Sequence, residues 1–140
     1  MNRRNFLVSG CSACAMALAM GTVLDFTGCS SVHSIEIEAE GGVLRVPIAE
    51  FGTSNAIVLR TKAEPFDLLA VRYPDGTVGA LLMECTHQNT PLTATESGLF
   101  CPAHGSAFDL HGHATRGPAV KPLKTFPATL QNGILEITLS

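Results

Sequence analysis

Four side chains that bind metals constrain this chain more than anything else in it. Cys85-Thr86-His87 and Cys101-Pro102-Ala103-His104-Gly105-Ser106 each offer one thiol and one imidazole, and thirteen residues, Gln88 to Phe100, separate them. Two soft sulfurs and two borderline nitrogens suit zinc or an iron–sulfur centre. Three arrangements are open. A Cys85–Cys101 disulfide would explain neither the paired His nor the Gly-Ser that follows. A Cys2His2 zinc site takes the same ligands tetrahedrally, yet zinc fingers generally pair Cys with Cys and His with His along the chain. The interleaved order, Cys-x-His then Cys-x-x-His, with Pro102 and Gly105-Ser106 beside it, points to a 2Fe–2S centre with two His in place of two Cys on one iron.

The remainder of the chain reads as strands. At 140 residues there is room for one domain. No stretch after Ser30 sustains the three-and-four apolar spacing of a helix. Ser34 to Ala39 alternates Ile35 and Ile37 with Glu36 and Glu38, the pattern of a half-buried strand. Val43 to Ile48 follows the Gly41-Gly42 turn, and Ala56 to Arg60, Phe66 to Tyr73 and Val78 to Met83 come next. Pro74-Asp75-Gly76 makes Leu68 to Met83 a hairpin. Asn132-Gly133 supplies the positive dihedrals of a tight two-residue turn and joins Thr125–Leu130 to Ile134–Leu139. Short strands about ten residues apart indicate an all-β sandwich or barrel. The formal net charge of −3 and the lack of a basic patch exclude nucleic acid as a partner. His111-Gly112-His113 is expected to be the turn of a hairpin, with both imidazoles in water.

Residues 34 to 140 resemble a Rieske domain. Cys85-Thr86-His87 matches the family's first box, and Cys101 through Asp109 matches the second. Gly117-Pro118-Ala119 resembles its proline-containing third loop, which covers the cluster. The resemblance implies three stacked antiparallel sheets with a cluster-binding subdomain at one tip. It implies Cys85 and Cys101 on the inner iron, His87 and His104 on the outer one, and a Ser106 hydroxyl able to donate to a bridging sulfide. Rieske subunits of cytochrome bc complexes carry an extra Cys in each box, and these form a disulfide; Thr90 and Ala103 stand in those places, so that bridge is absent. Those subunits also have a Tyr that donates to a ligand sulfur, where Phe108 stands and cannot donate. Gln88 occupies a place that is apolar in those subunits. The expected potential is intermediate, above ferredoxin-type Rieske proteins and below the quinol-oxidising ones, since donors to cluster sulfur favour the reduced state.

The N-terminal segment, residues 1–30, reads as an address preceding a domain over residues 31–140. Arg3-Arg4 before Phe6-Leu7, with no charge from Phe6 to Leu24, resembles a twin-arginine export signal. That route carries folded cargo, which suits a protein whose centre is built in the cytoplasm. The uncharged run approaches the length of a membrane span. Residues 6–24 as a retained anchor helix, or lipidation at Cys29, would then hold the domain at the extracytoplasmic (periplasmic) face of the cytoplasmic membrane. The family implies an electron carrier within an oxidoreductase complex rather than a catalyst alone. Its expected place is the iron–sulfur subunit of a quinol-oxidising complex, with a cytochrome b or c subunit as redox partner and quinol as donor. Two alternatives are an arsenite-oxidase-type small subunit and a stand-alone Rieske ferredoxin. A catalytic oxygenase subunit is not expected at this length, since it needs a second domain for its mononuclear iron.

Overall fold

Three long apolar runs build the middle of the molecule. In the computed structural model, which describes residues 32–140, they form β3 (Ala56–Arg60), β4 (Leu68–Arg72) and β5 (Val78–Leu82). Ala56 to Leu59, Leu68 to Val71 and Ala80 to Leu82 are buried without a break. A sheet covered on both faces needs such runs, whereas a half-exposed one alternates. The strands pair antiparallel, with Ile57 opposite Ala70 and Leu69 opposite Leu81. Successive residues then feed two separate cores. Val58, Leu69, Val71 and Leu81 enter one; Ile57, Leu59, Leu68, Ala70 and Leu82 enter the other.

The second core is closed by a three-stranded sheet, β2 (Val43–Pro47), β12 (Ile134–Thr138) and β11 (Ala128–Gln131), in the order β11-β12-β2. Here the sequence alternates. Leu44, Val46, Leu135 and Ile137 point inward, while Arg45 and Glu136 pair outside at 3.0 Å. Asn132 and Gly133 adopt φ of 52° and 75°, and Gln131 faces Ile134 across the turn, as expected for a tight hairpin.

A four-stranded sheet lies against the first core. It comprises β6 (Thr93–Thr95), β7 (Gly98–Phe100), β8 (Ala107–Phe108) and β9 (Ala114–Arg116), paired in chain order. The central sheet is completed at its edges by β1 (Ser34–Glu36) and β10 (Thr125–Phe126). The all-β, three-sheet fold expected from the sequence is therefore present, with differences in detail. β1 runs parallel to β3, because the chain passes through β2 in another sheet before returning. The expected Thr125–Leu130 strand is cut at Pro127, whose ring nitrogen has no proton for a ladder. β10 joins the central sheet and β11 the three-stranded one. Ile48 leaves its strand to open a 3₁₀ turn, Ile48–Phe51, which buries Phe51.

Among the described residues no helix is long and apolar enough to cross a membrane. The expected anchor over residues 6–24, the paired arginines and Cys29 lie outside the described residues.

Candidate metal centre

Both candidate ligand loops follow strands, and they meet in space. Cys85 lies in the connection from β5 to β6, and Cys101 opens the connection from β7 to β8. The loops share one backbone plan. The Cys85 carbonyl accepts the N–H of Asn89 and its N–H donates to the Thr90 carbonyl, each at 2.8 Å. Cys101 does the same with Gly105 at 2.9 Å and Ser106 at 2.8 Å. The residue four after each cysteine has positive φ, 50° for Asn89 and 79° for Gly105. Glycine and asparagine tolerate that conformation best, so each loop holds a residue suited to close it.

The four donors come as two pairs. Cys85 and Cys101 are free thiols, 1% and 0% exposed, in one core with Leu99 and Phe108. His87 and His104 are exposed, and their rings meet edge-on with centroids 5.1 Å apart. No disulfide joins the two cysteines. Burial raises the pKa of the Cys101 thiol. The Thr90 hydroxyl, the backbone N–H groups of His104 and Ala103 and the Cys85 thiol outweigh that effect and leave it below an ordinary thiol. Such a site favours the thiolate, the form that binds metal.

A lone zinc draws all its ligands within about 2.0–2.3 Å of one point. Among the described residues no three His, Cys, Asp or Glu side chains converge in that way. A two-iron centre asks for two donors at each metal, and a buried sulfur pair beside an exposed imidazole pair meets that demand. The donor set fits a 2Fe–2S centre with mixed ligation.

Hydroxyl groups tie the surrounding segments together. Ser106 is fully buried, and its Oγ accepts the Ala119 N–H at 3.0 Å, so its own proton stays free to donate. Thr86 Oγ1 donates to the Lys121 carbonyl at 2.8 Å. Ser106 thus joins the second loop to the Gly117-Pro118-Ala119 segment and Thr86 joins the first loop to Lys121 just beyond it, and Ala119 packs in the same core as the two cysteines. Arg116 donates from Nε to the Gly105 carbonyl at 2.8 Å and lays its guanidinium over Phe100. Thr90 Oγ1 stands 3.3 Å from Cys101 Sγ. Nothing in the spacing of the sequence marks Thr86 or Arg116, and Thr90 stands out there only as the place of an absent cysteine. One signal was available: a hydroxyl residue stands five positions after each cysteine, Thr90 and Ser106.

Of the other residues singled out, Gln88 is exposed in the first loop. His111 and His113 lie in the β8–β9 hairpin, as expected, but they are not simply solvated. Asp109 Oδ1 accepts both their backbone N–H groups at 2.9 Å, and its Oδ2 lies 3.2 Å from His113 Nδ1. The His111 ring stacks on Tyr73, centroids 4.4 Å apart, because the Tyr73 hydroxyl reaches across to the Leu110 carbonyl at 2.9 Å.

Three stacked β layers with paired thiols and imidazoles on two matched loops define a class: β-domains that carry a mixed sulfur–nitrogen iron centre. The profile of the Rieske [2Fe-2S] domain matches residues 50–127. Cytochrome b6-f complex iron-sulfur subunit 2 of Trichormus variabilis is 30% identical over 139 residues, covering 89% of this chain and 77% of that protein. The 3-phenylpropionate/cinnamic acid dioxygenase ferredoxin subunit of Photorhabdus laumondii is 32% identical over 77 residues, covering 51% of this chain and 73% of its own. The crystal structure of the plasma membrane Rieske protein PetC3 from Synechocystis superposes with a TM-score of 0.56 at 20% identity, covering 64% of this chain and 92% of that one, a likeness of fold. The chain belongs to the Rieske [2Fe-2S] domain family, and its cofactor is the 2Fe–2S cluster.

Proposed function

We propose that this chain is the electron-carrying iron–sulfur subunit of a membrane complex that oxidises quinol. The observation that carries the reading is the division of the four donors into a buried thiol pair and an exposed imidazole pair. Cys85 and Cys101 would hold one iron and His87 and His104 the other, and the Ser106 hydroxyl proton would be free to donate to the cluster. When bound, the cluster supplies a one-electron redox couple. The protein's share is to keep the sulfurs dry and to fix the two imidazoles at the surface where a partner reaches them. Neutral His in place of thiolate raises the potential above that of all-Cys centres. With Ser106 retained and Phe108 unable to donate, the midpoint falls between those of ferredoxin-type and quinol-oxidising relatives.

Residues 1–30 serve as a twin-arginine signal retained as an anchor, or lipidated at Cys29, and residues 31–140 form the domain at the periplasmic face. Support comes from the cytochrome b6-f relative, whose alignment takes in more of the chain than residues 32–140 make up. A cytochrome b or c subunit is the partner. The ferredoxin reading rests on a likeness over 51% of the chain and leaves the N-terminal segment without a use. Purification from detergent-solubilised membranes tests the proposal. Recovery in the membrane fraction with a b-type cytochrome supports it; recovery in the cytosol without a haem partner overturns it.

A further inference from the structure

We infer that Thr90 is a positioning residue that sets the cluster's potential, through a hydroxyl donated across the two ligand loops to Cys101 Sγ. The inference rests on the proposed ligation by Cys85 and Cys101. Thr90 is bonded to both cysteines. Its backbone carbonyl accepts the Cys85 N–H at 2.8 Å, and its Oγ1 lies 3.3 Å from Cys101 Sγ. With free thiols either atom could donate. A metal-bound Cys101 has no proton, so the hydroxyl alone can then be the donor. The sulfur it meets is 0% exposed, so water does not replace the bond if the hydroxyl is lost.

Ser106 sharpens the argument. It occupies the same position in the second loop that Thr90 holds in the first, five residues after the cysteine, with the same backbone bond to that cysteine. The Ser106 hydroxyl accepts from Ala119 and turns toward the third segment. The Thr90 hydroxyl turns instead to the opposite loop's sulfur. Matched loops therefore put two hydroxyls to different uses, and the one on Thr90 reaches a ligand atom. Hydrogen bonds to cluster sulfur tune potential, and a charged acceptor makes the bond stronger than a neutral one. Because reduction adds negative charge, the donor favours the reduced state. Phe108 has no hydroxyl to offer, so Thr90 is a side-chain donor that this loop pair supplies to Cys101.

Thr90→Val keeps shape and backbone while removing the hydroxyl; Thr90→Ser keeps the hydroxyl. Full-length protein carrying its cluster is titrated by redox potentiometry and examined by pulsed electron paramagnetic resonance after exchange into deuterium oxide. Thr90→Val is expected to lower the equilibrium constant for reduction about tenfold, about 59 mV for a one-electron couple, and to remove one exchangeable deuteron coupling. Thr90→Ser retains the coupling and stays near the wild-type midpoint. An unchanged midpoint in Thr90→Val overturns the inference, as does an equal shift in both variants. If Thr90→Val fails to assemble a cluster, assembly by Thr90→Ser supports the link and failure of both overturns it. Wild-type protein without a two-iron signal refutes the ligation instead, so the two failures are separable.

Discussion

Removing the Ser106 hydroxyl tests how the second ligand loop is held. Ser106 is 0% exposed and its Oγ accepts the N–H of Ala119, itself 4% exposed, at 3.0 Å. Ser106→Ala leaves that amide buried without a partner, a cost of about 1–3 kcal/mol. Thr86→Val is the control. It deletes a bond of similar length, Thr86 Oγ1 to the Lys121 carbonyl at 2.8 Å, but at an exposed site where water takes over, so about 0.5–1 kcal/mol is expected. Guanidinium unfolding followed by circular dichroism, at equal cluster content, gives both values from shifts in midpoint at unchanged slope. In thermal unfolding each kcal/mol appears as roughly 4–8 °C for a domain of this size. The Ser106→Ala protein should also have a lower redox midpoint, because the hydroxyl proton that Ala119 leaves free is gone. A Ser106→Ala cost no larger than that of Thr86→Val would refute the claim that a buried hydroxyl anchors the loop.

Other substitutions probe the site from different sides. His87→Ala or His104→Ala should abolish the two-iron absorption spectrum, whereas His111→Ala and His113→Ala should leave it intact; iron content per chain checks both. Gly105→Ala places a Cβ at φ 79° and should destabilise the protein by about 1 kcal/mol, read by the same unfolding assay, and it should slow cluster incorporation. Burial raises the Asp109 pKa, but the His113 N–H, the His113 ring and the His111 N–H outweigh it and hold the carboxyl low. Asp109 therefore contributes stability above the unfolded carboxylate's pKa, and that contribution is lost as pH falls through the lower folded value. Asp109→Asn should flatten the dependence of stability on pH in that acid window, with a neutral-pH cost of about 1 kcal/mol after allowing for partial exposure.

Much of this was legible before any coordinates, for a physical reason in each case. The two boxes are local in sequence, so the Rieske family resemblance could be read from their residue types and spacing, and Cys85, His87, Cys101 and His104 are proposed as ligands on that ground. Asn132-Gly133 was legible because few residues tolerate two successive positive φ values. The continuous apolar runs of β3, β4 and β5 read as strands, but that they form the middle layer depends on what covers each face. Pro127 was visible as a residue without an N–H, yet only the structure shows β10 and β11 parting there into two sheets. The parallel pairing of β1 with β3 is a matter of chain path, to which side-chain pattern is blind. The roles of Thr86 and Arg116 depend on where backbone carbonyls lie after folding, and no local spacing encodes that. Thr90 is the instructive miss. Set against a disulfide it looked like a loss, while the repeat of a hydroxyl five residues after each cysteine was already written in the chain.

Quantifying iron, zinc and acid-labile sulfide in freshly purified protein tests the central claim most directly. Two irons and two sulfides per chain, the content of a 2Fe–2S centre, are expected, and both should disappear in Cys85→Ser and Cys101→Ser. A single zinc, or iron without sulfide, would contradict it.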